Sequence, residues 1–123
     1  MNHLGIDFGT KKIGLAISIQ GVISPLTSIN NNSSIFDSIK KYIDLYKINS
    51  IYIGLSPGKM GELTLNFIDK LKSVVKLPIE TVEETASTIE ADTIFVSQKH
   101  KKKSYPQAID ALSAAIILRR VIN

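Results

Sequence analysis

The chain has 123 residues, 44% of them hydrophobic and 21% charged, a balance that belongs to a folded globule and excludes a disordered chain. It has no cysteine, which excludes disulfides and thiolate metal centres, and no run of about 18 apolar residues that would cross a bilayer as a helix. A formal net charge of +4 favours an anionic partner without naming one.

The first apolar run, Leu4 to Ile6, ends in Asp7. Gly9-Thr10-Lys11-Lys12 then makes a turn, with Gly9 free to take a positive φ, and a second strand runs from about Lys12 to Ser18. An acid at the end of a buried strand is costly without compensation; a bound metal ion, Lys11 or Lys12 are the candidates. A third strand, about Gly21 to Ile29, carries Pro25, which marks an edge or a bulge. The short connections pair these three strands as an antiparallel meander.

Asn30 to Ser34 reads as a loop, with Ser34 and Asp37 spaced as a capping pair for a helix. That helix shows Ile35, Ile39, Tyr42 or Ile43, and Tyr46 on one face. Ser50 to Leu55 is a fourth strand, apolar enough to be buried on both faces. After the loop Ser56 to Gly61, a helix from about Glu62 turns Leu65, Ile68, Leu71 or Lys72, and Val75 inward. Pro78 to Glu83 is the fifth strand. A helix near Thr85, capped by Ser87 and Glu90, is followed by the basic run Lys99 to Lys103. The closing helix has Ser104 and Gln107 as its capping pair and Pro106 in its first turn.

These elements predict a single α/β domain over residues 1–123, with a five-stranded mixed sheet flanked by helices. Crossover helices make strands one, four and five parallel, so their carboxyl ends share one edge, where open α/β sheets bind ligands. Asp7 ends strand one, Glu83 and Glu84 end strand five, and Asp110 is the sixth residue of the closing helix. Helical phase alone leaves Asp110 either solvent-facing or held toward the site. Three carboxylates together repel one another and raise their pKa values unless a hard divalent cation joins them. One or two such ions at a phosphodiester activate water and stabilise the leaving oxygen. Thr10, Lys11 and Lys12, with Lys101, Lys102 and Lys103, are candidate nucleic-acid contacts, the last three as a phosphate-contacting loop. His3 and His100 have no third partner that would argue for a transition-metal site.

The run Leu4-Gly5-Ile6-Asp7-Phe8-Gly9-Thr10-Lys11-Lys12-Ile13-Gly14-Leu15-Ala16 resembles the opening signature of the YqgF/RuvX family, Holliday-junction-resolvase-like proteins of the RNase H-like superfamily. Gly54-Leu55-Ser56-Pro57 through Gly61 resembles its second block. Glu83 to Ala91 resembles the third, and the lysine run with Ile109 to Leu118 resembles the closing helix. Four blocks in the right order are specific where any one is weak. The resemblance implies an RNase H-like fold and a metal-dependent nuclease using Mg²⁺ or Mn²⁺. It further implies a role in maturing the 5′ end of the 16S ribosomal RNA precursor. It carries Asp7, Glu84 and Asp110 over as catalytic, metal-holding acids, and it alone chooses Glu84 over Glu83. Two departures stand out: Thr85 replaces the family's usual Arg, and Ile19 replaces a frequent Asp.

Expected partners are therefore precursor ribosomal RNA, the ribosome or a pre-ribosomal particle, with no membrane, for a cytoplasmic monomer or homodimer. The alternatives are a resolvase of Holliday junctions or branched DNA, and a catalytically silent domain that binds RNA or protein. A nucleotide-binding module of the actin and sugar-kinase type also opens on Asp-x-Gly-Thr, but it needs a second lobe for which 123 residues leave no room.

Overall fold

The computed structural model describes residues 1–83 and 105–122. Its elements are β1 (Asn2–Asp7), β2 (Lys12–Ile19), β3 (Val22–Asn30), α1 (Ile35–Tyr46), β4 (Ser50–Leu55), α2 (Lys59–Val74), β5 (Ile79–Glu83) and α3 (Tyr105–Arg119). The strands form one mixed sheet in the order β3-β2-β1-β4-β5. β1 to β3 are the antiparallel meander expected from their short connections. β1, β4 and β5 run parallel, as their helical crossovers require.

Period-2 alternation divides the sheet between two sets of helices. Leu4 and Ile6 of β1, Ile13, Leu15 and Ile17 of β2, and Ile51 and Ile53 of β4 bury their side chains with Ile35 and Ile39 of α1 and Phe67, Ile68 and Leu71 of α2. Complete burial of one such Leu or Ile stabilises the fold by about 1.5–3 kcal/mol, so this layer dominates its stability. The opposite face is built from small residues. Ala16 packs with Ala114, Ala115 and Leu118 of α3, and a β-carbon added to Gly5 would meet Leu118 at 2.7 Å and the Ala114 carbonyl at 2.8 Å. Small strand residues let α3 lie close on the sheet. Among the described residues no helix is long and apolar enough to cross a membrane.

The outer position of β3 explains Pro25. It pairs with Ala16 while Thr27 pairs with Leu15, so Leu26 is the extra residue of a bulge on an edge strand. Other local expectations are corrected. Gly9 is not among the positive-φ glycines, which are Gly21 and Gly58; what it supplies is room, since a β-carbon there would come within 2.3 Å of the Lys12 carbonyl oxygen. Ser34 makes no side-chain cap; its own N–H, which the side chain of a capping box would hold, donates instead to Asn32 Oδ1 at 2.9 Å. α2 begins at Lys59 rather than Glu62, because Gly58, at φ 75°, turns the chain early. Its inward stripe is Gly61, Thr64, Phe67, Ile68 and Leu71, while Leu65 is exposed. Thr64 enters the core because its Oγ1 donates to the Met60 carbonyl at 2.8 Å, which satisfies the hydroxyl. The helix expected near Thr85, the basic run and the Ser104 cap lie outside the described residues.

Candidate functional site

With Leu4 and Ile6 committed to the α1–α2 layer, Gly5 and Asp7 occupy the α3 side of β1. Asp7 stands opposite Gly14 in the β1–β2 pair, and Gly14 stands opposite Ser28 in the β2–β3 pair. Directly opposed strand residues share a face, so Ser28, Gly14 and Asp7 form one row across the sheet under α3. The helix crosses this row at Asp110. A β-carbon on Gly14 would lie 2.0 Å from the Asp110 carbonyl oxygen, so only glycine permits the approach. Two partly buried carboxylates, 103 positions apart in sequence, thus flank a single residue.

Helical phase left the direction of Asp110 open; its contacts decide it. Ser28 Oγ donates a hydrogen bond to Asp110 Oδ2 at 3.1 Å. Burial pushes the Asp110 carboxyl above its ordinary value, while the Ser28 hydrogen bond and the Lys12 charge act in the opposite direction. Lys12, a candidate to compensate Asp7, also lies near enough to Asp110 for its charge to favour the ionised carboxylate.

The β1–β2 loop carries Thr10 and Lys11, both exposed beside the row. Asn31, just past β3, holds that loop from both ends of its own residue. Its backbone N–H donates to the Lys11 carbonyl at 2.9 Å, and its Nδ2 donates to the Gly9 carbonyl at 2.9 Å. His3 is at the far end of β1, where Nδ1 shares a hydrogen bond with Ser50 Oγ, so it takes no part here.

On the other side of β1, Glu83 is in register with Leu55. Ile51 and Ile53, four and two residues before Leu55, belong to the α1–α2 core, so Glu83 falls on the face away from Asp7. Arg120 Nη1 donates to the Glu83 carbonyl at 2.7 Å and ties the end of β5 to the end of α3. Glu84, Lys101, Lys102 and Lys103 lie outside the described residues. Among the described residues no three acids, histidines or cysteines gather at one point. The structure therefore places Asp7 and Asp110 on the same face of the sheet about Gly14 and puts Glu83 on the other face. Ser28 and Asn31 were not singled out in the sequence, since each acts on a residue remote from it along the chain.

Comparison with known proteins agrees with this architecture. The family model of RuvX, described as Holliday junction resolvase, matches residues 1–123. A Rickettsia typhi protein named as a pre-16S rRNA nuclease is 35% identical, across 98% of this chain and 83% of its own length. A Thermoanaerobacter pseudethanolicus protein of the same name is 31% identical, across 100% and 96%. Among solved structures, the fowlpox virus resolvase with Holliday junction DNA superposes with a TM-score of 0.66 at 11% identity, covering 99% of this chain and 97% of the resolvase. That likeness concerns the fold alone, and it bears out the RNase H-like architecture that the resemblance implies. A family match from the first residue to the last, with relatives above 30% identity over nearly the whole length, establishes that this chain belongs to the RuvX family.

Proposed function

We propose that residues 1–123 form one nuclease domain that hydrolyses nucleic-acid phosphodiesters with Mg²⁺ or Mn²⁺, in 5′-end maturation of the 16S ribosomal RNA precursor. The observation that carries this reading is the placing of Asp7 and Asp110 about Gly14 on one face of the sheet, Asp7 beside it in the row and the Asp110 backbone above it. The donor set fits a hard divalent ion: carboxylate oxygens, with no thiolate in the chain. Asp110 supports the same fit, because its burial leaves a negative charge that Ser28 and Lys12 compensate only in part. Asp7, Asp110 and Glu84 would hold one or two ions. Glu84 enters as the third member from the family resemblance, and the facing of Glu83 away from Asp7 is consistent with that choice. Ions bound there would supply activation of the attacking water and stabilisation of the leaving oxygen.

The chain's own cations and hydroxyls hold the polyanion in this reading. Lys12 is placed by β2 next to Asp110, and Thr10 and Lys11 are presented by the loop that Asn31 clamps. Lys101, Lys102 and Lys103 extend the phosphate contacts. Backbone contacts of this kind position a strand without reading its sequence, so they suit several nucleic-acid substrates. The relatives' names favour precursor ribosomal RNA. In this proposal the protein acts in the cytoplasm, as a monomer or homodimer, on a free precursor or a pre-ribosomal particle. The family description favours a second reading, the same chemistry on a DNA four-way junction. Incubating the purified protein with each substrate separately, in Mn²⁺ and in Mg²⁺, tests both. The first reading expects discrete cleavage of the RNA and little of the junction; faster cleavage of the junction would transfer the assignment to DNA.

A further inference from the structure

A second feature adjoins Asp110. An open cleft of about 350 Å³ lies where the ends of β2 and β3 meet the start of α1; apart from Ile29 its lining is polar, from Lys12, Ser28, Asn30, Asn32, Ser34 and Ser38. It shares a wall with the candidate site. Ser28 both borders the cleft and donates to Asp110 Oδ2, and Lys12 both borders it and acts on the Asp110 charge. A strand running past Asp7 and Asp110 would place an adjoining sugar–phosphate unit at this cleft.

The chemistry of the lining selects among ligands. A volume near 350 Å³ is at the small end of ligand-sized pockets, enough for one sugar–phosphate unit. Hydroxyls and carboxamides, which both donate and accept hydrogen bonds, outnumber the one cation. A site for phosphate alone would be richer in cations or backbone N–H groups. Neutral two-way groups match sugar hydroxyls, and the 2′-hydroxyl that separates RNA from DNA is both a donor and an acceptor.

We infer that this cleft seats the ribose–phosphate unit beside the scissile bond, with Lys12 on the phosphate and Asn30 and Ser38 engaging the 2′-hydroxyl between Asn32 and Ser34, so that the protein prefers RNA to DNA. The inference rests on the nuclease reading for its substrate class. Ser38 is inside α1, where alanine is well tolerated, and Asn30 ends the outer strand β3. Their alanine variants, single and combined, therefore test the cleft with melting temperature as the check on folding.

The measurement is fluorescence anisotropy of labelled single-stranded RNA and DNA of one sequence, in EDTA so that nothing is cut. Loss of one or two net hydrogen bonds corresponds to an RNA-over-DNA affinity ratio of about five- to tenfold in the wild type, falling to about one in Ser38→Ala/Asn30→Ala. A wild type that binds both strands equally, or folded variants that keep the ratio, overturns the inference. Cleavage in Mn²⁺ is followed in parallel to keep the two readings apart. Collapse of the ratio with no cleavage by wild type sinks the nuclease reading and leaves the cleft. Metal-dependent cleavage with an unaltered ratio does the reverse.

Discussion

Gly14 of β2 carries Asp110 of α3 directly above it, with so little space that a β-carbon on Gly14 would stand 2.0 Å from the Asp110 carbonyl oxygen. The clash is with helix backbone, which cannot rotate away as a side chain would. Gly14→Ala must therefore lift α3 off the row that contains Asp7. The expected cost is at least about 2 kcal/mol, read as a fall in the denaturant midpoint at unchanged slope. Whatever protein remains folded should have lost nuclease activity, since the two carboxylates have moved apart.

Ser28→Ala probes the same row from the other side. The hydroxyl donates to the ionised carboxylate, which favours the charged form and opposes the effect of burial. Its removal should raise the Asp110 pKa further above the ordinary 3.8, as followed by NMR titration of the side-chain carboxyl carbon. An unmoved titration would show that the 3.1 Å contact does not couple the two groups in solution.

Asp110→Asn gives a prediction with a definite sign. Burial raises the folded-state pKa, so the folded protein binds the Asp110 proton more tightly than the unfolded chain does. The associated stability is fully present below the ordinary carboxylate value and is lost as pH rises through the folded pKa. At neutral pH and without divalent ions, Asp110→Asn should melt at a temperature equal to or above that of the wild type. The gap should close as the pH drops below about 4. Added Mn²⁺ should raise the melting temperature of the wild type more than that of the variant, by mass action on the folded state.

Asn31→Ala removes the side-chain bond to Gly9 but keeps the backbone bond to Lys11. A loss of about 1 kcal/mol is expected from one net hydrogen bond. Nucleic-acid affinity should fall with it, because Thr10 and Lys11 would be presented by a looser loop. Undiminished affinity would remove that loop from the binding surface.

How much of this was legible in the sequence depends on how far each interaction reaches. The meander of β1 to β3 followed from short connections, and the parallel set from crossovers, so the shared edge at Asp7 could be placed before the structure was known. Pro25 announced the bulge on the outer strand because a proline is tolerated in few other places. Local rules failed where a neighbour outside the pattern intervened. Asn32 took the Ser34 N–H that a capping box would have used, and Thr64 displaced Leu65 from the core by satisfying its own hydroxyl. The direction of Asp110 was invisible because α3 is apolar around most of its circumference, which erases phase. The residue that decides it, Ser28, is 82 positions away. Asn31, 22 positions from Gly9, looked like any loop asparagine.

In the proposed reaction Asp7 is a ligand for the divalent cation that phosphodiester cleavage requires. The direct measurement is the rate of cleavage of a 16S precursor RNA by wild type and Asp7→Asn, with Mn²⁺ and with EDTA, on samples of matched melting temperature. Cleavage by the wild type that needs the metal, reduced in Asp7→Asn by at least about a hundredfold, is the predicted result. Cleavage that survives EDTA, or that proceeds at the wild-type rate in Asp7→Asn, would contradict it.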